Sequence, residues 1–89
     1  MIYEENWVLH VKSGVSKAIK RFPEKDKGTI VAVIDSLAND PFLGDIQKIK
    51  GEENVWRRRT GSYRIFYEIY TTARLIEVFR VERRGSKTY

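Results

Sequence analysis

The sequence predicts a single α+β domain in which an antiparallel sheet packs on an N-terminal pair of helices. Two stretches with helical apolar periodicity lie in the first half of the chain, and three stretches with strand periodicity lie in the second half. With a short strand before the helices, the predicted order is β-α-α-β-β-β. Eighty-nine residues can bury one modest core, so we expect residues 1–89 to form one domain.

The first strand is predicted over residues 6–11, which read N-W-V-L-H-V. Ser13 is expected to cap a first helix, which Pro23 ends. A second helix is expected to open near Glu24 and to stop around residues 39–41, giving a helical hairpin. The apolar stripes of the two helices are Val15, Ala18, Ile19 and Phe22, followed by Ile30, Val33, Ile34 and Leu37.

Residues 42–54 are expected to form a loop in which Phe42 and Leu43 pack under the sheet. A β-hairpin follows, with strands over residues 55–60 and 63–70 and a turn at Gly61. A last strand is predicted over residues 74–81. Both faces of the strand 63–70 carry apolar residues, so we expect helices to cover one face of the sheet and a groove to mark the other.

Charge is distributed unevenly along the chain. The net charge is +5, and residues 51–89 contribute +4 of it, from nine Lys or Arg against five Asp or Glu. Eight of the nine arginines lie in that half. Arginine binds phosphate through a planar fork of donors, so this pattern favours a nucleic-acid partner, although an acidic protein would suit the same surface.

Composition excludes several classes of protein. The chain has no cysteine and one histidine, His10, which removes disulfides, thiol catalysis and Cys-ligated metal sites. No apolar run is long enough to cross a bilayer, and the first residues do not resemble a signal peptide. We therefore expect a cytoplasmic protein with no membrane partner, no metal and no cofactor, in which His10 has a structural role.

The hairpin sequence W-R-R-R-T-G-S-Y-R-I-F-Y-E-I, residues 56–69, resembles the "WR-x-R-x-G-x-YR-x-x-Y-x-I" core of the RelE/ParE toxin superfamily of prokaryotic toxin–antitoxin systems. The stretch D-P-F-L-G-D-I-Q-K-I-K-G, residues 40–51, is similar to the family's loop before these strands. R-R-G-S-K-T-Y, residues 83–89, is similar to its C-terminal signature. The resemblance covers nearly the whole chain. It implies a RelE-like fold and a cognate antitoxin, with a toxin–antitoxin heterotetramer as one assembly.

The resemblance also implies an activity and a site. RelE-type members cut mRNA on the ribosome without a metal, by attack of a ribose 2′-OH on the adjacent phosphate. Matching the motif residue by residue places Arg57 beside the scissile phosphate, Arg64 on the phosphate-stabilising arginine and Arg83 near the leaving group. Tyr89 matches the tyrosine that stacks on a base or helps to move the proton. Further RNA contacts are expected from Lys48, Lys50, Arg59, Arg84 and Lys87.

Two alternatives remain open at this point. ParE-type members share the fold but inhibit DNA gyrase by binding. A non-catalytic relative would bind only RNA or an antitoxin, and Val55 keeps this alternative open because some nucleases have a catalytic lysine there. Without a well-placed histidine, a nuclease of this composition should be slow alone and should depend on the ribosome for substrate geometry. We expect Glu68 to act as a salt-bridge partner of Arg57 or Arg64.

Overall fold

A computed structural model describes residues 7–83 and shows a five-stranded sheet with two helices on one face. The sheet has the order β1-β5-β4-β3-β2. The elements are β1 Val8–Val11, α1 Ser13–Lys20, α2 Glu24–Leu37, β2 Ile46–Lys48, β3 Val55–Thr60, β4 Tyr63–Tyr70 and β5 Leu75–Arg83. The predicted α+β class and the helical hairpin are therefore confirmed.

Two features of the sheet differ from the prediction. The expected loop over residues 42–54 contains the short strand β2, which pairs with β3. Its three residues include one apolar side chain, too few for a periodic signal. The sheet is also not wholly antiparallel, because β1 lies parallel to β5 while β2 to β5 form an antiparallel meander.

The start of α1 also differs from the prediction. Ser13 is the first helical residue, and Lys12 occupies the cap position without a side-chain hydrogen bond to the helix. The Lys12 amide donates to the Val78 carbonyl at 3.0 Å, so the chain enters the helix directly from its pairing with β5. Pro23 separates the helices as expected and caps α2, whose first turn carries Glu24 and Asp26, favourable charges at a helix N-terminus.

The core lies between the helices and one face of the sheet. Residues of β4 alternate between buried and half-buried along its whole length. The buried set on the strands is Tyr63, Ile65, Tyr67, Ile69, Ile76 and Val78, and it packs on Val15, Ile30, Ile34 and Leu37 of the helices. We call this the helix-bearing face of the sheet and the opposite one the open face.

The stretch after α2 is less buried than predicted. Phe42 and Leu43 are 49% and 65% exposed, so they do not pack under the sheet. Pro41 is buried instead, and its carbonyl accepts a hydrogen bond of 2.7 Å from the Tyr67 hydroxyl. Phe42 contacts Trp7 and Trp56 only by ring edges. No helix within residues 7–83 is long and apolar enough to span a membrane.

Candidate functional site

The open face carries a group of arginines that strand alternation brings together. Arg57 lies opposite Phe66 in the ladder of β3 and β4, and Arg59 lies opposite Arg64. Phe66 in turn lies opposite Arg80 of β5. We call Arg57, Arg59, Arg64 and Arg80 the arginine cluster. Arg57 and Arg64, two of the predicted catalytic residues, are thus on one surface.

Arg80 was not identified from the sequence, because a β-bulge decides its position. The pairing register of β4 and β5 shifts between Phe66 and Tyr67, which leaves Phe79 as an extra residue in β5. The bulge places both Phe79 and Arg80 toward the open face, which simple alternation would not allow. The Arg80 guanidinium lies 5.3 Å from the centre of the Phe66 ring.

Acidic and amide side chains hold the cluster in place. The Glu82 carboxylate accepts hydrogen bonds from Arg64 Nη1 at 3.3 Å and from Arg80 Nη2 at 2.6 Å. Arg57 Nη2 donates to Gln47 Oε1 at 2.5 Å, and Arg59 Nε donates to Asp45 Oδ2 at 3.0 Å.

The expected ion-pair partner Glu68 is therefore replaced by Glu82 for Arg64, and Arg57 has no ion pair within residues 7–83 but a hydrogen bond to the neutral Gln47. Glu68 instead accepts a hydrogen bond from the Tyr70 hydroxyl, which raises the pKa of that phenol.

The cluster retains hydrogen-bonding capacity. Arg57 Nε and Arg64 Nε, like Arg58 Nε on the other face, are shielded from solvent and have no hydrogen-bond partner within residues 7–83, so the terminal guanidinium nitrogens are the donors that a ligand on the open face could reach. An arginine has five N–H donors, and buried donors in proteins are normally satisfied. Donors of this kind suit an anionic ligand such as a phosphodiester, which accepts several hydrogen bonds at once.

Arg83 lies at the same end of the sheet as Arg64 but on the helix-bearing side. Its register partner is Tyr63, and its guanidinium lies 5.7 Å from the centre of the Tyr63 ring. Tyr63 donates a hydrogen bond of 2.7 Å to Asp26 of α2. Burial, and then the bond to Asp26, raise the pKa of Tyr63. The structure therefore does not bring Arg83 together with Arg57 and Arg64 on the open face.

The other predicted RNA contacts are more dispersed. Lys48 lies on the edge strand β2 and donates through Nζ to the Glu52 carbonyl at 2.6 Å, and Lys50 is exposed in the following turn. Arg84, Lys87 and Tyr89 lie outside the described residues.

His10 is on β1, with Nδ1 2.9 Å from Glu77 Oε2. Within residues 7–83, no group of three His, Asp or Glu side chains is placed to hold a metal ion.

A groove of about 440 Å³ lies on the open face beside the cluster. Residues from β3, β4 and β5 and from the turn after β2 form its walls, chiefly Ile49, Val55, Phe66, Glu68, Phe79 and Arg80; Lys12 and Glu52 complete the lining. The Phe66 and Phe79 ring centres are 6.3 Å apart. The expected groove opposite the helices is therefore present; strand alternation is enough to place Phe66 and Glu68 on its face, and the bulge in β5 adds Phe79.

Comparisons with known proteins agree on the family. The family model described as "ParE toxin of type II toxin-antitoxin system, parDE" matches residues 11–87. A relative from Methanocaldococcus jannaschii, provisionally named toxin RelE1, is 27% identical over 79 residues, which cover 85% of this chain and 88% of the relative.

Two solved structures extend this agreement. A chain in the RelB–RelE antitoxin–toxin complex from Methanococcus jannaschii is 31% identical, with a TM-score of 0.71 over 86% of this chain and 92% of that one. A chain in the archaeal RelE–RelB complex from Pyrococcus horikoshii has the same fold, with a TM-score of 0.81 at 22% identity over 92% of this chain and 99% of that one. The protein therefore belongs to the ParE toxin family of type II toxin–antitoxin systems, within the RelE/ParE superfamily.

Proposed function

We propose that this toxin is a ribosome-dependent mRNA endonuclease of the RelE type, active in the cytoplasm. The observation that carries the proposal is that strand alternation places Arg57 and Arg64 on the same open face, on the neighbouring strands β3 and β4. Two guanidiniums on one face can donate together to the oxygens of one phosphate. Losing one preorganised donor to a developing oxyanion costs roughly 3–4 kcal/mol in comparable enzymes.

The chemistry assigned to the site is transesterification. The ribose 2′ oxygen attacks the adjacent phosphorus, its proton leaves to a base, and the bond from phosphorus to the 5′ oxygen breaks as that oxygen takes up a proton. The products are a 2′,3′-cyclic phosphate and a 5′-hydroxyl. Arg57 and Arg64 stabilise the charge on the phosphoryl oxygens. The family resemblance assigns Tyr89 to stacking or proton movement and Arg83 to the leaving-group side; for that role the Arg83 guanidinium would have to leave the Tyr63 ring and turn round the sheet edge.

The ribosome has a physical role in this scheme. Arginine has a pKa of about 12.5 or above and is a poor general base, and Val55 supplies no basic group at the position of a catalytic lysine. When the ribosome holds the 2′ oxygen in line with the phosphate, the entropic cost of aligning the two groups is met on binding. The activation free energy of the cleavage step is lower as a result. Lys48, Lys50, Arg59, Arg84 and Lys87 are assigned to backbone contacts that raise affinity more than rate.

Control by an antitoxin completes the proposal. The two solved structures reported above are of toxin–antitoxin complexes. For this toxin we propose an acidic and largely helical antitoxin segment that covers the arginine cluster, with a heterotetramer as one assembly. An antitoxin that bound an Arg57/Arg64/Arg83 triple alanine variant as tightly as wild type would show that it holds the toxin elsewhere.

The test is in vitro translation with purified ribosomes and a defined mRNA, with cut sites mapped by primer extension. Wild type should cut inside codons only when ribosomes are present. Arg64→Ala should slow cutting by about 10²–10³-fold, the usual loss for one oxyanion donor. Arg21→Ala, the same change at an exposed position following α1, should cut like wild type. Intact mRNA and unaffected translation would contradict the nuclease proposal.

Inhibition of DNA gyrase is the second candidate, because the matching family model is that of ParE toxins. In that case the toxin acts by binding, without bond chemistry. A supercoiling assay with purified gyrase tests it directly. Loss of supercoiling together with intact mRNA would favour this candidate over the nuclease.

A further inference from the structure

The groove beside the arginine cluster has the composition of a site for a planar heteroaromatic group. Its volume of about 440 Å³ falls within the roughly 300–1,000 Å³ of small-ligand pockets. Phe66 and Phe79 supply ring surfaces, and Val55 and Ile49 supply apolar walls. RNA bases outside a helix are recognised by stacking on aromatic rings and arginine planes, and this groove offers both through Phe66 and Arg80.

The groove is placed where an RNA strand on the cluster could reach it. Phe66 lies on the same face of β4 as Arg64, two residues along the strand, or about 7 Å. Phe66 is also the direct ladder partner of Arg57. A phosphate bound between Arg57 and Arg64 therefore has the aromatic wall of the groove beside it.

Glu68 supplies the groove with a hydrogen-bond acceptor. It lies on the open face two residues beyond Phe66, opposite Val55 on one side and Glu77 on the other. An ionised carboxylate only accepts hydrogen bonds and can accept two side by side, so the group facing Glu68 has to be a donor.

We propose that this groove binds one nucleobase of the RNA strand held by Arg57 and Arg64, and that Glu68 selects bases with an amino group over uracil. Guanine presents two adjacent donors, N1–H and the 2-amino group, and fits a carboxylate best. Cytosine and adenine present one amino group each. Uracil presents a single N–H flanked by two carbonyl oxygens, which the carboxylate repels. The inference rests on the proposed RNA-binding function and adds base selection to it.

The test measures binding by the full chain, without ribosomes or cleavage. Fluorescence anisotropy is recorded with short 2′-O-methyl oligouridines that carry guanine, adenine, cytosine or uracil at the central position. Wild type should bind the guanine oligonucleotide about 5- to 150-fold more tightly than the all-uracil one, the usual range for one well-made base contact. Glu68→Gln should remove most of this preference, because an amide offers both a donor and an acceptor.

Glu77→Gln is the matched control. Glu77 is the ladder neighbour of Glu68 on the open face, so the charge change is the same, but it pairs with His10 and does not line the groove. It should raise the affinity for all four oligonucleotides slightly and leave their ranking unchanged. Phe66→Leu should weaken all four by a similar factor, since stacking is tolerant of base identity.

The outcomes separate this proposal from the nuclease proposal. Base selection would be overturned by any of three results, whatever the translation assay shows. Wild type could bind all four oligonucleotides equally, or bind none of them, or Glu68→Gln and Glu77→Gln could have equal effects. Base selection that is lost in Glu68→Gln while mRNA stays intact on ribosomes would retain the groove and overturn the nuclease. Weakened antitoxin binding in Phe66→Leu with unchanged RNA binding would assign the groove to the antitoxin instead.

Discussion

Three consecutive arginines in β3 have three different environments, because successive residues of a strand point to opposite faces. Arg57 and Arg59 belong to the open face. Arg58 points to the helix-bearing side and donates through Nη1 to the Leu43 carbonyl at 3.0 Å. Its guanidinium lies so close to Gly44 that a Cβ there would come within 2.4 Å of Arg58 Cζ. Arg58 is therefore a structural residue that fastens the stretch after α2 to the sheet.

Gly44→Ala and Gly51→Ala test this role as a matched pair. Both glycines have positive φ values, +97° and +87°, so alanine costs about 1–2 kcal/mol at either position from backbone strain. Gly51 has open space where the methyl group would go. We expect Gly44→Ala to lose about 1 kcal/mol more stability in urea unfolding, because the flexible Arg58 guanidinium has to swing aside and gives up its hydrogen bond to the Leu43 carbonyl. Equal losses, or an excess that persists in an Arg58→Ala background, would show that the contact is not the cause.

At the scale of single residues, the sequence predicts which face of the sheet a side chain is on only where simple strand alternation decides it. Alternation along a strand over residues 55–60 is enough to place Arg57 and Arg59 on one face and Trp56 and Arg58 on the other, as observed. It could not identify Glu82 as the partner of Arg64, because that contact depends on the register between β4 and β5.

At the scale of elements, predictability follows the strength of the local signal. The strands over 55–60 and 63–70 were predicted with their observed bounds, because aromatic alternation and a glycine turn mark both. The strand β2 was not predicted, because its three residues carry no strand signal of their own. Its strand conformation depends on pairing with β3. The bulge at Phe79 has no local signal either, and it decides which residues of β5 reach the groove.

The stretch that leads into β2 also affects anion binding by β3, because it carries an acidic partner of Arg59. Asp45 precedes β2, and it holds Arg59 by a side-chain bond of 3.0 Å and a backbone bond of 2.9 Å. Asp45→Asn should free the guanidinium and raise affinity for a single-stranded oligonucleotide. The slope of log K against log salt should steepen by about 0.7, the value for one further phosphate contact.

The stability of Asp45→Asn should change by less than about 1 kcal/mol, because the ion pair is exposed. Anisotropy titrations over a range of salt give the slope. Asp35→Asn, the same charge change at an exposed position on α2, serves as the control and should leave the slope unaltered. An identical slope in Asp45→Asn and wild type would mean that Arg59 does not meet the RNA backbone.

At the scale of the whole molecule, one face of the sheet packs the core and the other face carries the candidate binding site. The helix-bearing face contains the fully buried residues, and the open face contains the arginine cluster and the groove. Tyr67 sits at the centre of this arrangement, with its ring in the core and its hydroxyl bonded to the Pro41 carbonyl. Burial raises the pKa of Tyr67 to about 12.

This pKa makes the global stability sensitive to alkaline pH. In the unfolded chain the Tyr67 phenol ionises near pH 10, and in the folded protein only near pH 12. The favourable contribution is therefore complete below pH 10 and is lost as the pH rises toward 12. Two pKa units at about 1.36 kcal/mol each correspond to a loss of about 3 kcal/mol.

Tyr67→Phe should be less stable than wild type at neutral pH, by about 1–3 kcal/mol for the Pro41 carbonyl left without its donor. The stability of Tyr67→Phe should fall less steeply between pH 10 and 12, so the unfolding free energies of the variant and wild type should converge. Urea unfolding at a series of pH values measures both curves, and lysine deprotonation affects them alike. Parallel curves would show that the buried phenol does not control the alkaline transition.

The parallel pairing of β1 with β5 has a consequence for the toxin's own synthesis. β1 is an edge strand, and its strand partners are residues 75–78, made almost seventy residues later. Domains are completed during synthesis only when the segments they need have emerged, and such distant contacts form late and slowly. The nascent chain therefore remains unfinished as a domain until β5 has left the exit tunnel. Until then β5, which carries Arg80 of the arginine cluster, lacks its neighbour β1, and completion of the five-stranded sheet is a late step in the formation of the fold.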